Sequence, residues 1–266
     1  MKPILTWLLL GAAASLFGCA SRAGTPEVAA SGKEWVTESD EPEAQRRARL
    51  RIELASGYFE KGQVTVALDE VKQALVADPN YAPAHNLRGL IYLRLKEPQL
   101  AEASFLQAIK LAPRDGDSWH NLGWMHCEAG KHAEAIAAFG KALQTPQYAA
   151  ASRTWMSQGI CQARAGQPLE AERSLLRAFE LDPANPIVSY NLASLLMQRR
   201  EYQRAQFYIR RLNNSELANA ESLWLGVRVE RQLNQLGTAR QLGEQLRSRY
   251  PESQEAANYE RGAFDD

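Results

Sequence analysis

The sequence predicts an all-α fold, a right-handed superhelical solenoid of six antiparallel helix pairs closed by a C-terminal capping helix. Two observations carry that prediction. One alanine recurs at Ala67, Ala101, Ala135, Ala171, Ala205 and Ala239, in steps of 34, 34, 36, 34 and 34 residues. Further residues keep fixed distances from it. A small residue lies twelve positions upstream, within one: Ala55, Gly89, Gly123, Gly159, Ala193 and Gly226. Seven positions downstream stand Ala74, Ala108, Ala142, Ala178, Leu212 and Leu246, and Pro79, Pro113, Pro183 and Pro251 each fall twelve positions after their alanine. A fixed period of this length marks units that bury their apolar faces only against one another.

Each element follows from these registers. The small residue on the first helix (A) and the alanine opening the second (B) let two backbones approach, where a larger side chain would cost ~1–3 kcal/mol of overpacking. Four residues past the alanine, Val71, Phe105, Phe139, Leu175 and Ile209 fill the seam; the sixth unit has Gly243. Gly62, Gly130 and Gly166 mark where three of the A helices end. Proline after helix B stops it and opens the next unit. The segment from Glu252 to Gly262, with Ala256, Ala257 and Tyr259, reads as the polar cap that a terminal repeat requires.

These registers resemble the tetratricopeptide consensus, most fully in Trp119-His120-Asn121-Leu122-Gly123 with Ala135, Phe139 and Ala142. The resemblance places six repeats within residues 46–251, at about 48–81, 82–115, 116–151, 152–185, 186–218 and 219–251, with 252–266 as cap and tail. The sequence departs from the pattern at Arg88, which stands at a leucine position. Two extra residues near Pro146 to Ala151 are expected to bend the stack between repeats three and four, and one residue is expected to be inserted between the helices of repeat six.

The first 45 residues follow other rules. Lys2 precedes an apolar stretch, Ile4 to Phe17, too short to span a bilayer comfortably, which stops at Leu16-Phe17-Gly18-Cys19. That ending resembles the lipobox of bacterial lipoproteins, with Phe17 bulkier than usual. It implies a signal peptide over residues 1–18 and acylation of Cys19. Ala20 and Ser21 lack the aspartate that signals inner-membrane retention, so the resemblance implies the periplasmic face of an outer membrane. Residues 19–45 are then a lipidated, flexible tether reaching ~25–30 Å, in which Trp35 and Val36 read as stray apolar residues.

In the tetratricopeptide family the fifth, ninth and twelfth positions of helix A face the groove. In this sequence they include Ile52, Ser56 and Phe59, then Asn86, Leu90 and Leu93, then His120, Trp124 and Cys127. Repeats four and five give Met156, Ile160 and Ala163, then Tyr190, Ser194 and Met197; repeat six gives Leu223, Val227 and Glu230. This wall is mostly apolar, which suits an amphipathic helix or apolar segment of a partner, with the methionines lending adaptability. The competing reading assigns the ninth and twelfth positions to packing against the adjoining A helix. The lysines and asparagines of a carboxylate clamp are absent from these positions.

Thirty-one basic and 31 acidic residues leave no excess that favours nucleic acid. No phosphate loop, His-Glu-x-x-His or Cys-x-x-Cys motif occurs, so no catalytic role, cofactor or metal is expected. His126 replaces a core aromatic; an oxidising periplasm would allow Cys127 and Cys161, on adjacent A helices, to form a disulfide, but the favoured expectation is free buried thiols. Lipobox, tether and six repeats beginning near Arg46 together resemble the PilF/PilW pilotins of type IV pilus biogenesis. That resemblance implies a monomeric outer-membrane factor that binds secretin subunits and promotes their multimerisation. An adaptor for cell-wall enzymes or a periplasmic protease, or a component of outer-membrane β-barrel assembly, shares the same layout.

Overall fold

The computed structural model describes residues 41–264. The leader, Cys19, and the tether through residue 40 with Trp35 and Val36 lie outside the described residues. Among the described residues there are thirteen helices and no strand. Repeat one pairs α1 (Glu43–Glu60) with α2 (Val64–Ala77), and repeat two pairs α3 (Ala82–Arg94) with α4 (Pro98–Leu111). Repeat three is α5 (Gly116–Glu128) and α6 (His132–Leu143); repeat four is α7 (Ala151–Arg164) and α8 (Pro168–Leu181). Repeat five is α9 (Pro186–Gln198) and α10 (Tyr202–Asn213); repeat six is α11 (Ala220–Gln232) and α12 (Leu236–Arg249). The cap is α13 (Gln254–Arg261). None of these helices is long and apolar enough to cross a membrane.

Every A helix passes to its B helix through a three-residue turn whose middle residue is left-handed. Glycine serves at Gly62, Gly130 and Gly166, each at φ 73°, and Lys96, Arg200 and Asn234 serve at 62°, 61° and 57°. Repeat six therefore has no inserted residue. Its difference lies in packing.

In repeats two to four a glycine on helix A receives a large side chain from helix B sixteen residues later. A Cβ at Gly123 would come within 2.8 Å of the Phe139 ring, and one at Gly159 within 2.7 Å of Leu175. Phe105 fills the same place against Gly89. Repeat six inverts the arrangement: buried Val227 takes the position of the small residue, and Gly243 takes that of the large one. Tyr259 of α13 occupies the space a side chain on Gly243 would need. Gly226, which the sequence reading takes for the small residue, faces Asn213 of α10.

The two extra residues before α7 form a loop in which the Tyr148 ring covers Gly116 and its hydroxyl donates to Asp117 Oδ1 at 3.0 Å. Arg88 is accommodated by hydrogen bonds to Ser104 Oγ at 3.1 Å and His85 Nδ1 at 3.0 Å. The backbone of each A helix comes close to that of the next A helix, while successive B helices stand further apart, α8 and α10 meeting through side chains such as Phe179 and Tyr208. The A helices thus run along the inner, shorter arc of the stack, where a groove belongs.

Candidate functional site

The structure sorts the predicted groove residues by depth. Ile52 and His120 are buried, at 9% and 6% exposure, and belong to the packing between helices rather than to an open wall. His120 Nδ1 lies 2.8 Å from Thr154 Oγ1 of the next A helix, and its ring sits 5.6 Å from that of Phe139. Burial, with help from the Arg153 charge, holds the His120 imidazole down at about 4. Phe59, Asn86, Leu90, Leu93, Trp124, Met156, Ile160, Tyr190 and Met197 are half-buried. The apolar ones each rest one side on a core cluster; Leu90, for example, touches the clusters on both sides of repeat two. Asn86 is tied across the arc, its Oδ1 accepting from Asn121 Nδ2 at 3.0 Å.

The wall is less purely apolar than its register positions suggest. Arg94, the last residue of α3, places its guanidinium 5.7 Å from the centre of the Phe59 ring in the preceding repeat. Arg164, the last residue of α7, stands at the same distance from the Trp124 ring and pairs with Glu128 at 2.5 Å. A cation over an aromatic face is attracted by the ring quadrupole. Between repeats two and three a cavity of about 620 Å³ opens, lined by Leu93, Trp124, Met125 and His126 together with Glu102, Glu128 and Lys131. Apolar side chains and charges of both signs line it together, a fit for an apolar side chain within a polar segment.

At the sixth repeat the register corrects the sequence reading by one position. Counted back from the turn as in the other repeats, the wall positions are Trp224, Arg228 and Arg231. Leu223, Val227 and Glu230 are fully buried instead. Glu230 turns to the preceding B helix, accepting from Arg210 Nε at 2.6 Å and Gln206 Nε2 at 2.8 Å. The wall here is occupied by Phe264, whose ring lies 5.6 Å from Trp224 and 3.7 Å below the Arg231 guanidinium.

Cys127 and Cys161 form a disulfide, against the expectation of free thiols. Neighbouring A helices approach so closely on the inner arc that the two Cα atoms are 5.8 Å apart, within the range a disulfide spans. His132 Nδ1 stands 3.6 Å from Cys161 Sγ, so three metal-ligating side chains gather here with both sulfurs committed to each other. His126, at the aromatic position, is buried with Nε2 3.8 Å from Glu102.

Two family profiles for the tetratricopeptide repeat match the chain, one over residues 52–115 and 157–212 and the other over 104–137. With the helix pairs and their inner-arc wall, these matches show that the chain belongs to the tetratricopeptide-repeat family. Within it, the protein is PilF/PilW-like. It is 28% identical over 209 residues to the type IV pilus assembly protein PilF of Pseudomonas aeruginosa, covering 79% of this chain and 83% of that one. The solved structure of Pseudomonas aeruginosa PilF superposes with a TM-score of 0.75 at 27% identity, over 83% of this chain and all of the other. The structure of PilW, described as a widely conserved type IV pilus biogenesis factor, gives 0.73 at 29% identity over 80% and 97%.

Proposed function

We propose that this protein is a non-catalytic assembly factor of type IV pilus biogenesis, a pilotin held by acylated Cys19 at the periplasmic face of the outer membrane. Its A-helix wall binds secretin subunits and promotes their multimerisation. The single observation that supports this most is the likeness to PilF and PilW along about four-fifths of the chain at above 25% identity. The acyl chains supply the address, because two or more of them anchor stably where one does not. Anchoring then raises the local concentration of cargo at the membrane. Recognition falls to the half-buried wall residues of the first repeats, above all Leu93 and Trp124, which line the cavity, and Leu90 on the same wall.

Leu90→Ala combined with Trp124→Ala should abolish capture of secretin from detergent-solubilised envelopes while leaving the helical content intact. Undiminished capture by a folded double variant would remove the groove from the mechanism. Cys19→Ser should release the protein into the soluble periplasm and mislocalise the secretin. Altered cell shape with normal pili after gene deletion would point to a cell-wall adaptor instead.

A further inference from the structure

We propose that the A-helix wall of repeat six is a recognition subsite for an aromatic side chain followed by acidic residues, held here by the chain's own Phe264. The inference rests on the reading of the A-helix wall as a partner surface and adds the chemistry that the wall selects. Phe264 lies against two of the wall positions of α11, Trp224 and Arg231, and is tied to the third. Arg231 covers its ring at 3.7 Å, Trp224 lies at 5.6 Å, and Tyr259 meets it edge-on at 6.0 Å. Arg228, the remaining wall residue, donates from Nε to the Phe264 carbonyl oxygen at 3.2 Å. The wall thus contacts both the ring of Phe264 and its backbone carbonyl.

The same pairing recurs further along the wall, where Arg94 stands over Phe59 and Arg164 over Trp124. At those places the aromatic belongs to the wall; at repeat six it is brought by the tail. Two arginines beside the subsite complement acidic groups, and the sequence after Phe264 is Asp265-Asp266, outside the described residues. The tail reaches the wall through one reversal. Gly262 adopts φ 67° after α13, and the Ala263 N–H closes the helix on Asn258 O at 3.0 Å. Beyond that turn, Phe264 is the residue the wall grips. A partner segment with an aromatic and following carboxylates would displace it by presenting equivalent groups.

The test uses a fluorescent synthetic peptide of residues 258–266 and the full chain. Phe264→Ala empties the subsite and should raise affinity for the peptide at least ~10-fold over the parent, whose site is filled in cis. Adding Arg231→Glu, or the milder Arg231→Gln, should remove that binding without loss of helicity, since Arg231 is exposed. A peptide with alanine in place of the phenylalanine should not bind. Equal affinity for parent and Phe264→Ala, or binding indifferent to both Arg231 variants, overturns the proposal. Peptide binding that persists while Leu90→Ala with Trp124→Ala leaves secretin capture intact refutes the secretin groove and keeps the subsite; the reverse pattern refutes the subsite alone.

Discussion

His120 occupies a place where a proton is costly. Its imidazole is pressed to about 4 from an ordinary 6.5 by burial and by Arg153. Below pH 6.5 the unfolded chain takes up this proton and the folded one does not. The contribution is therefore complete above that pH and is lost as pH falls towards about 4, by up to ~3 kcal/mol. Urea unfolding across this window should show the decline, and His120→Gln should flatten it. The Cys127–Cys161 bridge sets a second quantity at this scale. Its 34-residue separation implies that reduction costs about 4 kcal/mol. Unfolding with and without reductant should differ by that amount in the parent, and by nothing in Cys161→Ser. Neither effect could be foreseen from the sequence. The burial of His120 and the existence of the bridge both depend on how closely two A helices approach, which residue spacing alone does not state.

At the scale of the helix pair, most of the fold was legible because the small-to-large fit has a fixed sixteen-residue offset. Gly123 and Phe139 make it concrete, with 2.8 Å between the ring and a would-be Cβ. Gly123→Ala should cost ~1–3 kcal/mol, and Phe139→Leu should recover part of that in a double-mutant cycle on urea unfolding. Repeat six was misread because it honours the same rule in reverse. Val227 and Gly243 exchange sizes, so Gly226 stands out as the small residue of helix A and sets the apparent wall one residue inward. The sign of the error was there in the sequence, in the glycine at the place of the large residue. What fills it, Tyr259, comes from the cap. The left-handed turns at Lys96, Arg200 and Asn234 leave no mark in the sequence for a simpler reason: the three-residue connection imposes that conformation on residues that do not advertise it.

Across the whole molecule, the aromatic positions of the wall were legible from helical spacing, and the arginines above them were not. Arg94 over Phe59 and Arg164 over Trp124 join residues 35 and 40 positions apart through the curvature of the inner arc. That curvature also gives the disulfide a meaning beyond added stability. A stack of repeats touching only their neighbours opens from its ends, each unit contributing nearly independently. A covalent tie between the A helices of repeats three and four merges those two units into one that cannot open stepwise. Amide hydrogen exchange should accordingly be slowest in α5 to α8 and fastest in α1 and α13. Reduction should erase the contrast between the middle and its flanks, turning a stack with a single indivisible segment into one that unzips repeat by repeat.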